Sequence, residues 1–179
     1  TVKLKEKGML YERLVNLPDK KAFAPGKPIN WDKEMDQAIV DAKKRVGKNN
    51  LCIDKIYYKK NFGKNLDKVR GKYKDVNLVD SKEFDDYQLT LDVCNDLGIK
   101  PVIVLIPGMD KFYNVTGISK DERYEFYDKA GNLAKQHGFD VIDLRSKENE
   151  KYYLRDVMHL GTKGWVDVCE KLFKEFNQQ

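Results

Sequence analysis

The stretch KPVIVLIPG, residues 100–108, is an unbroken apolar run between Pro101 and Pro107. It is dominated by β-branched residues and shows no polar alternation, so neither face of a strand made from it can meet water. Such a strand belongs in a parallel sheet with helices on both sides. This excludes an open antiparallel meander and asks the rest of the chain for crossover helices.

The following residues supply that pattern. Residues 76–79, VNLV, read as a strand. Residues 81–98 place Phe84, Leu91, Cys94 and Leu97 near a 3.6-residue period, with Tyr87, Leu89 and Val93 beside them and Gly98 as the stop. Residues 119–138 open with Ser119 and Glu122 at capping-box spacing and close on Gly138, where His137 suits the negative end of the helix dipole. Residues 139–145, FDVIDLR, read as a short strand. Residues 161–176 bring Trp165, Val166, Cys169, Leu172, Phe173 and Phe176 onto one face of a last helix. This right-handed βαβ succession predicts an α/β fold in three layers, α/β/α, around a parallel sheet. Three strands are few for a sheet covered on both sides, so the sheet is expected to be incomplete, with its remaining strands before Thr1. A first residue of Thr rather than Met fits a processed or excised piece.

Residues 1–75 are of another kind. A proline- and glycine-rich connection at 18–28 leads into an amphipathic helix ending at Gly47, and residues 50–75 hold a short apolar run followed by charged helical sequence. The expected organisation is a mainly helical segment, 1–75, with one short strand, then a βαβ-type part, 76–179, treated together as one domain. No apolar run approaches the roughly 20 residues that span a bilayer. The net charge of +5 comes from lysines spread along the whole length, which fits a solvated surface or a polyanionic partner. No zinc spacing or RNA-binding signature accompanies the charge, so nucleic acid is not expected. Cys52, Cys94 and Cys169 lie far apart and read as small core hydrophobes, without a disulfide framework or metal motif.

The candidate chemistry sits on the loop 145–161, beyond the carboxyl end of the strand FDVIDLR, where open parallel sheets carry their active groups. It holds Asp156 and His159. An imidazole can take a proton from a hydroxyl nucleophile while a carboxylate on its other nitrogen fixes the tautomer. Asp-x-x-His by spacing alone is equally a surface or capping pair. Asp143, at the end of the same strand, is either a supporting carboxylate or an ordinary loop residue. Among the serines, Ser119 is a cap and Ser146 has nothing to activate it. Ser81, between a strand and a helix, has the layout of a nucleophile elbow and also that of an N-cap.

The motifs DVMHLGTKGWVDV, SKEFDDYQLTLDV, PVIVLIP and KFYNVTG, in their order and spacing, resemble the C-terminal half of the DltD family, from about NLCIDKIYY to the end. The resemblance implies a flavodoxin-like, SGNH-hydrolase-like fold and a Ser, His, Asp site that moves D-alanyl groups onto polyglycerol or polyribitol phosphate chains of (lipo)teichoic acid. It implies Asp156 as the orienting residue and His159 as the general base. The family's nucleophilic serine lies nearer the N-terminus, after a membrane-anchoring helix, and neither is found in this chain. The implied location is the extracytoplasmic face of the membrane, with a D-alanyl donor from the same pathway, such as a carrier protein or a membrane acyltransferase. No cofactor and no metal are expected. The chain departs from the family at Thr162, where Trp is usual, and at Gly108, Met109 and Asp110, where Val-Asn-Gly is usual. Three readings follow: an acyl-transfer fragment without its serine and silent alone, a self-sufficient esterase or thioesterase using Ser81, or a non-catalytic module that binds a carrier protein or teichoic acid.

Overall fold

A computed structural model of the chain describes residues 28–177. The chain divides into two units, Thr1–Asn30 and Trp31–Gln179, and the second is a mixed α/β body. Its elements in order are α1 (Trp31–Val46), α2 (Lys55–Asn61), α3 (Glu83–Asp96), β1 (Val102–Leu105), α4 (Asp110–Thr116), α5 (Lys120–Gln136), β2 (Asp140–Asp143) and α6 (Thr162–Asn177). Short 3-10 turns occupy Gly63–Val69 and Arg145–Lys147.

β1 and β2 pair in parallel, with Val102 opposite Asp140 and Leu105 opposite Asp143. Their side chains alternate between two apolar layers, as the pleat requires. Ile103, Leu105 and Val141 meet Phe84, Leu91, Tyr127, Ala130 and Ala134 from α3 and α5. Val104 and Ile142 meet the other layer, which includes Ile53, Phe62, Met109, Leu144, Tyr153, Val157 and Val168. Helices and loops thus cover both faces of an open, incomplete sheet, and the mixed α/β architecture is the one expected from the continuous apolar strand. α5 can lie close to the sheet because it presents Gly131 there: a Cβ at that position would stand 3.4 Å from Leu105 Cδ1. Its start carries the full capping box, with the Ser119 hydroxyl accepting from the Glu122 amide at 3.2 Å and Glu122 Oε2 accepting from the Ser119 amide at 2.7 Å.

Three local expectations are corrected. Residues 76–79 form a turn, because Asn77 Oδ1 accepts from the amides of Val79 at 3.0 Å and Asp80 at 3.2 Å, taking donors that a ladder needs. The short strand expected within 1–75 is not found among the described residues. Leu51 and Ile53 instead donate to Asn49 Oδ1, and Cys52 has a φ of 55°. The third correction concerns α6, which turns Gly164 and Val168 inward and leaves Trp165, Cys169, Phe173 and Phe176 exposed. Cys169 is therefore not a core residue. Gly164 sets this rotation, since a Cβ there would lie 2.6 Å from the Tyr153 carbonyl oxygen. α6 packs along α1, where Thr162 Oγ1 donates to the Ala38 carbonyl at 2.9 Å and Phe173 meets the Trp31 ring at 5.7 Å.

Leu144 is 1% exposed and its amide continues the sheet by donating to the Leu105 carbonyl at 3.0 Å. Leu144→Ala is expected to lower the unfolding free energy by about 3 kcal/mol, measured by urea denaturation, with native secondary structure retained.

His137 closes α5, placing Nδ1 2.8 Å from the Leu133 carbonyl and Nε2 2.9 Å from Asp92 Oδ1. A carbonyl and a carboxylate both accept, so the doubly protonated ring satisfies both contacts. The Leu133 carbonyl first, then Asp92, raises its pKa above the ordinary histidine value. The stabilisation is thus complete below the unfolded value of about 6.5 and is lost as pH rises through the higher folded value. Thermal melts of the wild type and His137→Gln across this range should differ most on the acid side and converge on the alkaline side.

Candidate functional site

The loop after β2 closes on itself. Leu154 and Leu160 form an antiparallel bridge, Arg155 N–H donates to the His159 carbonyl at 2.8 Å, and Gly161 N–H donates to the Tyr153 carbonyl at 2.7 Å. Leu154, Val157 and Leu160 are buried and pin the loop to the core. A further bond, Met109 N–H to the Val157 carbonyl at 2.8 Å, ties the loop to the end of β1. Asp156 and His159 stand at the two corners of the resulting turn.

The Asp156 carboxylate holds this turn. Its Oδ1 accepts from the amides of Met158 at 3.0 Å and His159 at 2.9 Å, and both oxygens lie 2.9 Å from His159 Nδ1. Burial raises the pKa of Asp156, but the two amides and the imidazole outweigh it and hold the carboxyl below its ordinary range. An ionised carboxylate only accepts, so Nδ1 carries the proton and the Nε2 of a neutral ring is an acceptor. The Asp156 side chain is 15% exposed, whereas that of His159 is 70% exposed. The arrangement offers an oriented proton acceptor on an open face, able to take a proton from a hydroxyl brought to it.

Other candidates go elsewhere. Ser81 Oγ accepts from the Glu83 amide at 3.3 Å at the start of α3, and among the described residues no hydrogen bond joins it to His159. Asp143 is taken by Arg145, which donates to it from its backbone at 2.9 Å and from Nε at 2.7 Å. The amides after β1 are also occupied: Gly108 N–H donates to Tyr127 Oη at 2.9 Å, and that hydroxyl donates to the Ile106 carbonyl at 3.0 Å. Burial pushes the Tyr127 phenol up to about 12. Among the described residues no group of three or more His, Cys, Asp or Glu side chains converges as a metal site.

Sequence reasoning missed the surroundings of Asp156. Tyr57 and Tyr113 both have phenol pKa values raised by burial first and by the Asp156 charge second or later, which places them in its field. Tyr113 packs on Gly108, where a Cβ would come within 2.5 Å of its ring. Behind Tyr113, Arg123 is 3% exposed and donates to Asp110 at 2.5 Å, Asn114 at 2.8 Å and Glu148 at 3.2 Å. This buried network fixes the start of α4, and Asp110 takes part in it as an anchor for Arg123.

The class the structure defines is a layered, mixed α/β protein with an open parallel sheet, which carries a carboxylate-held imidazole on the loop beyond a strand end. A family model described as DltD protein matches residues 1–177, and the chain belongs to that family. The match extends well upstream of the likeness read from the motifs. The Protein DltD of Bacillus subtilis (strain 168) is 35% identical over 150 residues, covering 84% of this chain and 38% of the relative. That of Staphylococcus aureus (strain NCTC 8325 / PS 47) is 31% identical over 145 residues, 81% of this chain and 36% of the relative. That of Lacticaseibacillus rhamnosus is 27% identical over 113 residues, 63% of this chain and 27% of the relative. The chain thus spans well under half the length of these relatives. No helix among the described residues is long and apolar enough to cross a membrane.

The tautomer is directly measurable. Nitrogen-detected NMR at a pH where the ring is neutral should show Nδ1 of His159 protonated and Nε2 bare, and Asp156→Ala should abolish that preference. An Nε2-protonated ring in the unsubstituted chain contradicts this orientation.

Proposed function

We propose that this chain is the C-terminal part of an extracytoplasmic D-alanyl transfer protein acting in D-alanylation of (lipo)teichoic acid, and that it supplies the Asp and His of a Ser-His-Asp acyl-transfer site. The observation that carries this reading is the His159 ring held through Nδ1 on Asp156 with its outer face exposed. Family membership supports the substrate class. In this reading the serine comes from a part of the longer protein beyond this chain.

The proton path follows from the orientation. Nε2 of His159 takes the proton of the serine hydroxyl as its oxygen attacks the carbonyl of the D-alanyl donor, and returns it to the leaving group as the donor bond breaks. In the second half Nε2 takes the proton of a polymer hydroxyl, which attacks the acyl-serine ester. The serine oxygen then leaves and is reprotonated. Asp156 stays ionised throughout and stabilises the imidazolium. The donor is a D-alanyl carrier or membrane acyltransferase of the same pathway, and the acceptor is a polyglycerol or polyribitol phosphate chain.

A serine-directed fluorophosphonate probe tests both halves of the reading. The isolated chain should remain unlabelled, while in the full-length protein His159→Ala should lower D-alanyl transfer by roughly 10⁶-fold with the fold intact. Strong labelling of the isolated chain that disappears with Ser81→Ala would replace this reading with a self-sufficient esterase.

A further inference from the structure

We propose that the outer face of α2 is a membrane-contact surface for anionic phospholipid, with Ile56 entering the interfacial layer and Lys55, Lys59 and Lys60 meeting the lipid phosphates. The inference does not depend on the acyl-transfer reading.

The orientation of this helix is fixed from within. Asp54 caps it by accepting from the amides of Ile56 at 2.8 Å and Tyr57 at 3.1 Å. Phe62, 2% exposed, packs against the rings of Tyr57 at 6.2 Å and Tyr58 at 5.9 Å. With positions 57, 58 and 62 committed to the core, helical geometry sends 55, 56, 59 and 60 outward. Ile56 is 72% exposed, more than any other large apolar side chain among the described residues, and it shares its face with Lys55, Lys59 and Lys60.

A single exposed isoleucine is ordinary. This one sits among three exposed lysines that make no ion pair with any described residue. Positive charge continues at the end of α1, where exposed Arg45 lines the same surface depression as Asp54, the cap of α2. The carboxylates within this region are engaged, Asp41 by Lys44 and Asp54 by the helix amides. A partner matching this face offers closely spaced anions above an apolar layer. An anionic bilayer has both, whereas a polyol phosphate chain has the anions and nothing apolar for Ile56. Asp54 N–H donates to the carbonyl of Arg155, the residue before Asp156, at 2.9 Å. Docking through α2 therefore sets the His159 loop close to the membrane surface.

Co-sedimentation of this chain with vesicles of phosphatidylglycerol and phosphatidylcholine, against phosphatidylcholine alone, tests the proposal at low salt. The expected result is binding to the anionic vesicles only, weakened about five-fold by each Lys→Gln change at positions 55, 59 or 60, the equivalent of about 1 kcal/mol per charge near the surface. Ile56→Ser should weaken it about ten-fold through lost apolar burial. Raised salt should remove the binding, and His159→Ala should leave it unchanged. All the substituted side chains are exposed, and circular dichroism verifies the fold. Equal binding to neutral vesicles, or anionic binding indifferent to Ile56, overturns the proposal. Lysine-dependent binding of soluble polyglycerol phosphate without vesicle binding assigns the face to the polymer instead.

Discussion

Tyr153 fastens the last helix to the rest of the molecule from both ends of the residue. Its carbonyl accepts the Gly161 amide at 2.7 Å and faces Gly164 so closely that a Cβ there would stand 2.6 Å away. Its phenol, buried and then further raised in pKa by the carboxylate it meets, donates to Asp167 at 2.6 Å, one helical turn along α6. The two glycines are required because any side chain would separate the two backbones. With this contact made, the rotation of α6, the closure of residues 153–161 and the position of His159 are all set together.

Much of the fold was legible because the strongest patterns also had the strongest physical causes. The run at 102–106 reads as a strand covered on both faces, and residues 102–105 form one between two apolar layers with Ile106 beyond it exposed, while Ser119 with Glu122 has the spacing that opens a helix. The failures share a cause too. VNLV and the apolar residues near 51–53 have strand-like composition, but each is preceded or entered by an asparagine whose side chain binds the backbone locally. Local side-chain bonding defeated the pattern. For α6, periodicity favoured the face with the larger residues, whereas a backbone contact at Gly164 decided which face turned inward. That contact joins residues from different elements and leaves only small residues as its trace in the sequence.

The candidate site was partly legible for a different reason. Asp156 and His159 are close in sequence, and so their spacing was visible, but spacing could not choose between a capping carboxylate and an orienting one. The structure has Asp156 doing both, binding two amides of the turn and the imidazole. Tyr57, Tyr113 and the network of Arg123 with Asp110 and Glu148 gave no comparable signal. They come from separate elements, and only the fold brings them toward one region. An arginine in a helix rich in charge looks solvated until its burial is known.

The Asp156 turn also has an entropic consequence. The bonds that hold the imidazole itself, from the Leu154–Leu160 bridge to the carboxylate contacts with Met158 and His159, span fewer than ten residues of chain, while Met109 and Asp54 bond the Val157 and Arg155 carbonyls of the same loop from distant parts of the sequence. Short loops lose little chain entropy on closing. The oriented imidazole is therefore a product of local folding. Orienting the ring needs little ordering of chain beyond this loop, and the Met109 and Asp54 bonds then fix where the loop sits on the rest of the fold.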